Sequence, residues 1–235
     1  MSEIRDIESG ELPSRMRGAV SLAWSLFARK VGGGLIEINK EASMQLQFGY
    51  ILQQVLPLIS FHKSEKLQLE LETGAKVDSS TCEIDVLLTG TSEKRKHRIA
   101  VELKCYRTLA SSGGKRGATD IFMKDVYEDL AVLERYVECG HAEEGIALVM
   151  NDMERLVRPK NKEAKCWHYD ISHGAVVGPV SLNTPIGGKP VGITLKKRYA
   201  FEWLQYGSFW FLEVQGKAQQ GAPTDGPRPA ASARR

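Results

Sequence analysis

The stretch Thr81–Lys104, TCEIDVLLTGTSEKRKHRIAVELK, decides the fold. Glu83–Leu88 alternates: Ile84, Val86 and Leu88 are predicted on one face of a strand, Glu83, Asp85 and Leu87 on the other. Arg98–Lys104 alternates in the same way, with Ala100, Glu102 and Lys104 opposite Val101 and Leu103. The intervening TSEKRKH is polar and charged, as an exposed turn requires. A turn centred between Glu93 and Lys94 sets Asp85 opposite Glu102, with side chains about 5 Å apart where they share a face.

Two carboxylates at that spacing repel each other unless a positive charge lies between them. A divalent ion is the usual remedy, and an oxygen-only ligand set favours a hard one such as Mg²⁺. Lys104 points into the same site. The alternative is a structural Asp85–Lys104 salt bridge.

Composition adds limits. With 42% hydrophobic residues in 235, the chain can bury one substantial core or a core with a small subdomain. No apolar run reaches the length of a membrane span. The polar, acidic start MSEIRDIESGE is no signal peptide. Cys82, Cys105, Cys139 and Cys166 form no CxxC pair and fit reduced thiols in a cytoplasmic protein. In the last twenty residues Lys217, Arg228, Arg234 and Arg235 outnumber Asp225, which accounts for the whole net charge of +3. Any case for nucleic-acid binding therefore rests on local patches.

Working outward, Pro13 opens a packing helix carrying Val20, Trp24, Phe27 and Val31, which Gly32–Gly34 end. Asn39 is the expected N-cap of a second helix that stops near Leu56 before Pro57. Its stripe is apolar at Phe48, Leu52 and Val55 but carries Glu41 and Gln45 in the first turns. Glu41 either favours the helix dipole or reaches the carboxylate site. Leu67, Leu69 and Leu71 mark a strand, followed by a loop over Gly74–Ser80.

Past Lys104, Arg107, Lys115 and Arg116 lie on a Gly- and Ser-rich loop that could track a phosphate backbone or simply be solvated. It is no P-loop, since Leu109 stands where the first glycine belongs. Thr119–Cys139 is the clearest helix, with Phe122, Val126, Leu130, Leu133 and Val137 on its core face and Lys124 roughly opposite. Gly145–Met150 reads as a fully buried strand, so strand, helix and strand form a crossover in a mixed sheet. KCWHYDI, AVVGPVSL, VGITLKK and SFWFLEV then suggest a β-rich C-terminal portion. Cys166, His168 and His173 match no zinc spacing and fit alternation in a half-buried strand.

The order helix, strand, Asp-bearing strand, Glu-x-Lys strand, helix, strand over residues 39–152 resembles the PD-(D/E)xK, restriction-endonuclease-like nuclease superfamily. Asp85 stands for the first acidic residue of the motif and Glu102-Leu103-Lys104 for its (D/E)xK. Glu41 matches the extra acidic residue that many members carry. Ile84 replaces the proline that names the motif.

The resemblance implies an α/β (α+β, mixed-sheet) fold with an α-β-β-β-α-β core over 39–152. Residues 1–38 form a lead-in and packing helix, 153–215 a β-rich extension of the same domain, and 216–235 a disordered tail. It further implies Mg²⁺, replaceable by Mn²⁺, held by Asp85, Glu102, the Leu103 carbonyl and Glu41. Lys104 would orient or deprotonate the attacking water. Arg107, Lys115, Arg116 and Lys124 are the candidates for holding a DNA backbone, and two-strand cleavage would favour a homodimer. The competing expectation is an inactive module of this fold that binds nucleic acid or protein.

Overall fold

The computed structural model describes residues 7, 8, 10–93, 95–109 and 113–218. Helices α1 (Leu12–Gly32) and α2 (Glu41–Val55) come first, and α2 runs into a 3₁₀ turn, Leu56–Ile59, that holds Pro57. Strands β1 (Lys66–Val77), β2 (Ser80–Ser92) and β3 (Arg95–Tyr106) follow, then α3 (Thr119–Glu138), β4 (Glu144–Asn151) and the short helix α4 (Glu154–Val157). The C-terminal part contributes β5 (Val176–Val177), β6 (Val180–Leu182), β7 (Ile193–Leu195), β8 (Tyr199–Ala200), β9 (Leu204–Tyr206) and β10 (Phe209–Val214).

Six strands form one sheet in the order β1-β2-β3-β4-β10-β9, antiparallel except for the parallel β3–β4 pair that α3 connects. The protein is thus a mixed α+β molecule. On one face α1 and α2 bury Met16, Val20, Trp24, Phe27, Phe48 and Leu52 against Val86, Leu88, Val101, Leu103 and Leu148. On the other, α3 sets Phe122, Val126, Leu130 and Leu133 on Ala100, Ala147 and Val149, and the C-terminal segments add Tyr199, Phe201 and Trp210. β4 lies between these layers, which is why its sequence is apolar without a break. Among the described residues no helix is long and apolar enough to cross a membrane.

Four expectations change. Gly74–Val77 continues β1, and a tight turn at Asp78, held left-handed at φ 52°, replaces the long loop. KCWHYDI supplies the 3₁₀ helix Lys165–Tyr169, because a short apolar run has no distinguishing period. His168 bonds the Thr184 hydroxyl and His173 accepts the Trp203 amide, and both are exposed rather than alternating in a half-buried strand. Asn39 does not cap α2: the Ser43 hydroxyl reaches back to the amides of Asn39 and Lys40. Of the proposed tail, residues 219–235 lie outside the described residues, while Lys217 pairs with Arg198 through its backbone.

Gly207, in the β9–β10 turn at φ +59°, sits against the Gly32 backbone at the end of α1, where an added Cβ would collide with the Gly32 carbonyl. Gly207→Ala therefore combines left-handed strain with a backbone clash. It is expected to cost about 2–3 kcal/mol, read as a lower guanidinium midpoint with an unchanged slope.

Candidate active site

β2 and β3 pair from Ser92↔Arg95 to Val86↔Val101, the register read from the sequence. One residue further on, the strands part. Asp85 Oδ2 accepts the Leu103 amide at 2.6 Å, where a backbone carbonyl of β2 would otherwise stand. The next amide on that edge, Cys105, donates to Glu41 Oε2 at 3.3 Å. A strand residue directs its amide and its carbonyl to the same edge, so the Leu103 carbonyl opens into this notch as well.

The parting has a local cause. Glu72 on β1 is left-handed (φ 51°), and the β1–β2 ladder skips the Glu72–Asp85 pair. Gln45 of α2 fills the gap, donating to Glu72 Oε1 at 2.6 Å and to the Asp85 carbonyl at 2.9 Å. The twist also corrects the predicted faces. Val86 and Leu88 pack under α1 and α2, whereas Ile84 joins Leu87 in the core beneath α3.

Glu102, only 7% exposed, and Lys104 project to the α3 side of the sheet. There Lys104 Nζ lies 3.3 Å from Asp129 of α3 and 3.5 Å from Glu41, which reaches in from the opposite layer. The alternative reading, an Asp85–Lys104 salt bridge, does not form: Lys104 pairs with Asp129 and Glu41, and Asp85 serves the Leu103 amide. Glu102 Oε1 is buried with no hydrogen-bond partner. The Tyr136 hydroxyl donates to the Glu83 carbonyl at 3.2 Å and lies close enough to the Glu102 carboxyl to oppose the rise in its pKa.

One lysine thus faces Glu41, Asp85, Glu102 and Asp129. Burial, with Glu41 and Glu72 adding, pushes the Asp85 carboxyl up to about 6 against the pull of the Leu103 amide and Lys104. Burial and the charges of Asp85 and Asp129 hold Glu102 well above the usual carboxylate range. Burial raises Asp129 to about 8 even with Lys104 opposing it. Burial works against the Lys104 ammonium, yet Asp129 and Glu41 raise its pKa and keep it charged. Burial pushes the neighbouring Cys105 thiol up to about 12, so it offers no thiolate nucleophile.

These shifts fix a pH dependence. The folded acids hold protons that the unfolded chain releases near pH 4. Native protein therefore binds more protons than unfolded protein from there to about pH 8, and stability must fall as pH rises through that window. In EDTA the melting temperature is expected to drop by about 5–10 °C between pH 5 and pH 8. Asp85→Asn should flatten the curve. A midpoint that rises over the same window would contradict these protonation states.

Asp129 was not anticipated, though its spacing was informative. It lies three residues after Val126 and four before Leu133, so an acid interrupts the apolar stripe of α3. Of the basic candidates, Arg107 is bound to Asp152 at 2.9 Å, to the Ile38 carbonyl and over the Phe209 ring, and so ties the fold together. Lys124 pairs with Asp125 and Glu128 on its own helix. Arg116 donates to the Asn39 carbonyl at 3.4 Å, beside the start of α2, and Lys115 is exposed in a backbone bridge with Leu109. Neither of these two has a carboxylate partner among the described residues.

Among the described residues no three Asp, Glu, His or Cys side chains converge on one point. The donors at the notch are two carboxylates, one with an unused buried oxygen, and a strand carbonyl. That set suits Mg²⁺, which keeps several of its waters and takes one or two carboxylates together with substrate oxygens. Compared with family models, curated proteins and solved structures, the chain matches none.

Proposed function

We propose that the chain is a metal-dependent nuclease of PD-(D/E)xK type, hydrolysing phosphodiester bonds in DNA. The observation that carries this reading is the buried, unpartnered Glu102 oxygen beside Asp85, in a cluster where four acids face one lysine. The succession α2, β1, β2, β3, α3, β4 supports the reading, with Asp85 and Glu102-Leu103-Lys104 standing for the motif that the sequence resembles.

Asp85, Glu102 and the Leu103 carbonyl would hold Mg²⁺, which when bound neutralises charge on the scissile phosphate and acidifies a water. Lys104, kept protonated by Asp129 and Glu41, donates from Nζ to the attacking water or to a phosphate oxygen; it orients rather than deprotonates. Glu41, 42% exposed and next to Nζ, is placed to take the proton the water loses. The water oxygen would bond phosphorus as the bond to the 3′ oxygen breaks, and the 3′ oxygen would take a proton from solvent, leaving a 5′-phosphate and a 3′-hydroxyl. Asp129 acts through Lys104 as a positioning residue. Cutting both strands of a duplex would call for two copies of the chain.

The test is incubation with supercoiled, linear duplex and single-stranded DNA in Mg²⁺, Mn²⁺ or EDTA. Cleavage in either metal and none in EDTA is expected. A second reading, the same fold kept for binding alone, draws on the neutralisation of Lys104 by Asp129 and Glu41. Absence of cutting on all three substrates, with no metal-dependent rise in melting temperature, would favour it.

A further inference from the structure

The segment Arg155–Lys165 carries Arg155, Arg158, Lys160, Lys162 and Lys165, with Glu154 and Glu163 as the acids on and beside it. It leaves the sheet where the notch lies. β3 and β4 run parallel with Tyr106 beside Asn151, so both strands end together, and the Arg107–Asp152 pair ties the two exits at 2.9 Å. The segment also lies on the same face as the notch. Trp167 and Trp210 belong to the core beneath α3, the layer toward which Glu102 and Lys104 project.

The five cations divide by role. Lys162 holds Asp170 at 2.7 Å and Ser172 at 2.8 Å, and the Arg158 guanidinium lies 4.7 Å from the Trp210 ring centre. Arg155, Lys160 and Lys165 are exposed, and among the described residues no carboxylate pairs with them. A cleft of about 600 Å³ opens between Arg155, Arg158, Lys160 and Asn161, with Trp167 as one wall. Spaced cations around an apolar wall suit a backbone of separated phosphates, with Glu154 and Glu163 lining the same cleft and limiting where the charges can sit. Of the four basic candidates nearer the motif, Arg107 and Lys124 are already bound to carboxylates.

We propose that this cleft binds the phosphate backbone of a nucleic-acid strand that continues to the Asp85–Glu102 notch, an inference that rests on the nuclease reading. The test is fluorescence anisotropy of the full chain with labelled duplex DNA, single-stranded DNA and RNA, in EDTA and across a salt series. Arg155→Ala/Lys160→Ala is expected to raise Kd about tenfold or more and to reduce the salt slope by about 2. Lys63→Ala/Lys96→Ala removes the same charge at the hairpin end of the sheet and should leave Kd within about twofold. Both pairs are exposed, so circular dichroism melts should match wild type.

A cleft variant that binds no more weakly than the hairpin-end control would overturn the proposal, as would a wild type that binds none of the probes. The two readings fail separately. A protein that binds through Arg155 and Lys160 but cuts nothing keeps the cleft and loses the nuclease. One that cuts DNA with a Kd indifferent to both substitutions does the reverse.

Discussion

Glu102→Gln is expected to reduce Mg²⁺-dependent cleavage by about 10²–10⁴-fold while leaving the protein folded. The amide keeps the shape of the side chain, so the packing beneath α3 is preserved, but it cannot ionise to offer a metal an anionic oxygen in place of the unpartnered Oε1. The native state must already tolerate this group, since burial and the charges of Asp85 and Asp129 favour its neutral form. Removing the charge should therefore leave the metal-free melting temperature unchanged or higher at pH 8, and abolish the rise that Mg²⁺ produces in wild type.

Lys104→Ala should lose activity to a similar extent for a different reason. It strips the cation from between Asp129 and Glu41, leaving those acids facing each other. Its metal-free stability should fall rather than rise. The opposite signs of the two stability changes, with activity lost in both, separate a ligand from an orienting cation.

Arg15→Ala carries the largest expected effect on folding, a loss of about 3–5 kcal/mol. Arg15 sits in the first turn of α1 and is 1% exposed. Its Nε donates to the Ile59 carbonyl at 2.8 Å, Nη1 to the Gly10 carbonyl at 2.8 Å and Nη2 to Glu65 Oε1 at 2.5 Å. The Phe61 ring centre lies 4.4 Å from the guanidinium carbon. Glu65 in turn accepts the Phe61 amide at 2.8 Å, so one side chain joins α1, the turn after α2 and the approach to β1. Truncation takes the guanidinium from the half-buried Glu65 carboxylate and from the Gly10 and Ile59 carbonyls. Arg15→Lys should recover only part of the loss, because a point charge cannot serve three acceptors in different directions. Urea unfolding monitored by circular dichroism measures both variants.

How much of this could be read in the sequence depends on the range of each interaction. The β2–β3 register followed from alternation and a polar turn, both local, and it runs as read from Ser92↔Arg95 to Val86↔Val101. The parting of the strands at Asp85 was not legible, because it depends on a left-handed Glu72 and on Gln45 arriving from another helix. Gln45 had stood out as a polar residue on an apolar stripe, and Asp129 interrupts α3 in the same manner; in both cases the anomaly marked a contact with the site. Arg15 gave no such signal, since an arginine in a first turn looks the same whether it meets solvent or a distant glutamate. The Lys165–Tyr169 helix was misread because five residues cannot establish a period. That β9 and β10 close the sheet beside β4 follows from long-range pairing that no local pattern records.

Diffraction from crystals soaked in Mn²⁺, collected at a wavelength where manganese scatters anomalously, tests the site most directly. A peak between the Asp85 and Glu102 carboxyls, beside the Leu103 carbonyl and absent from Glu102→Gln crystals, is the expected result. No peak at the notch, with Glu102 Oε1 bonded to an ordered water and Lys104 still on Asp129, would show a polar cluster that serves the fold rather than catalysis.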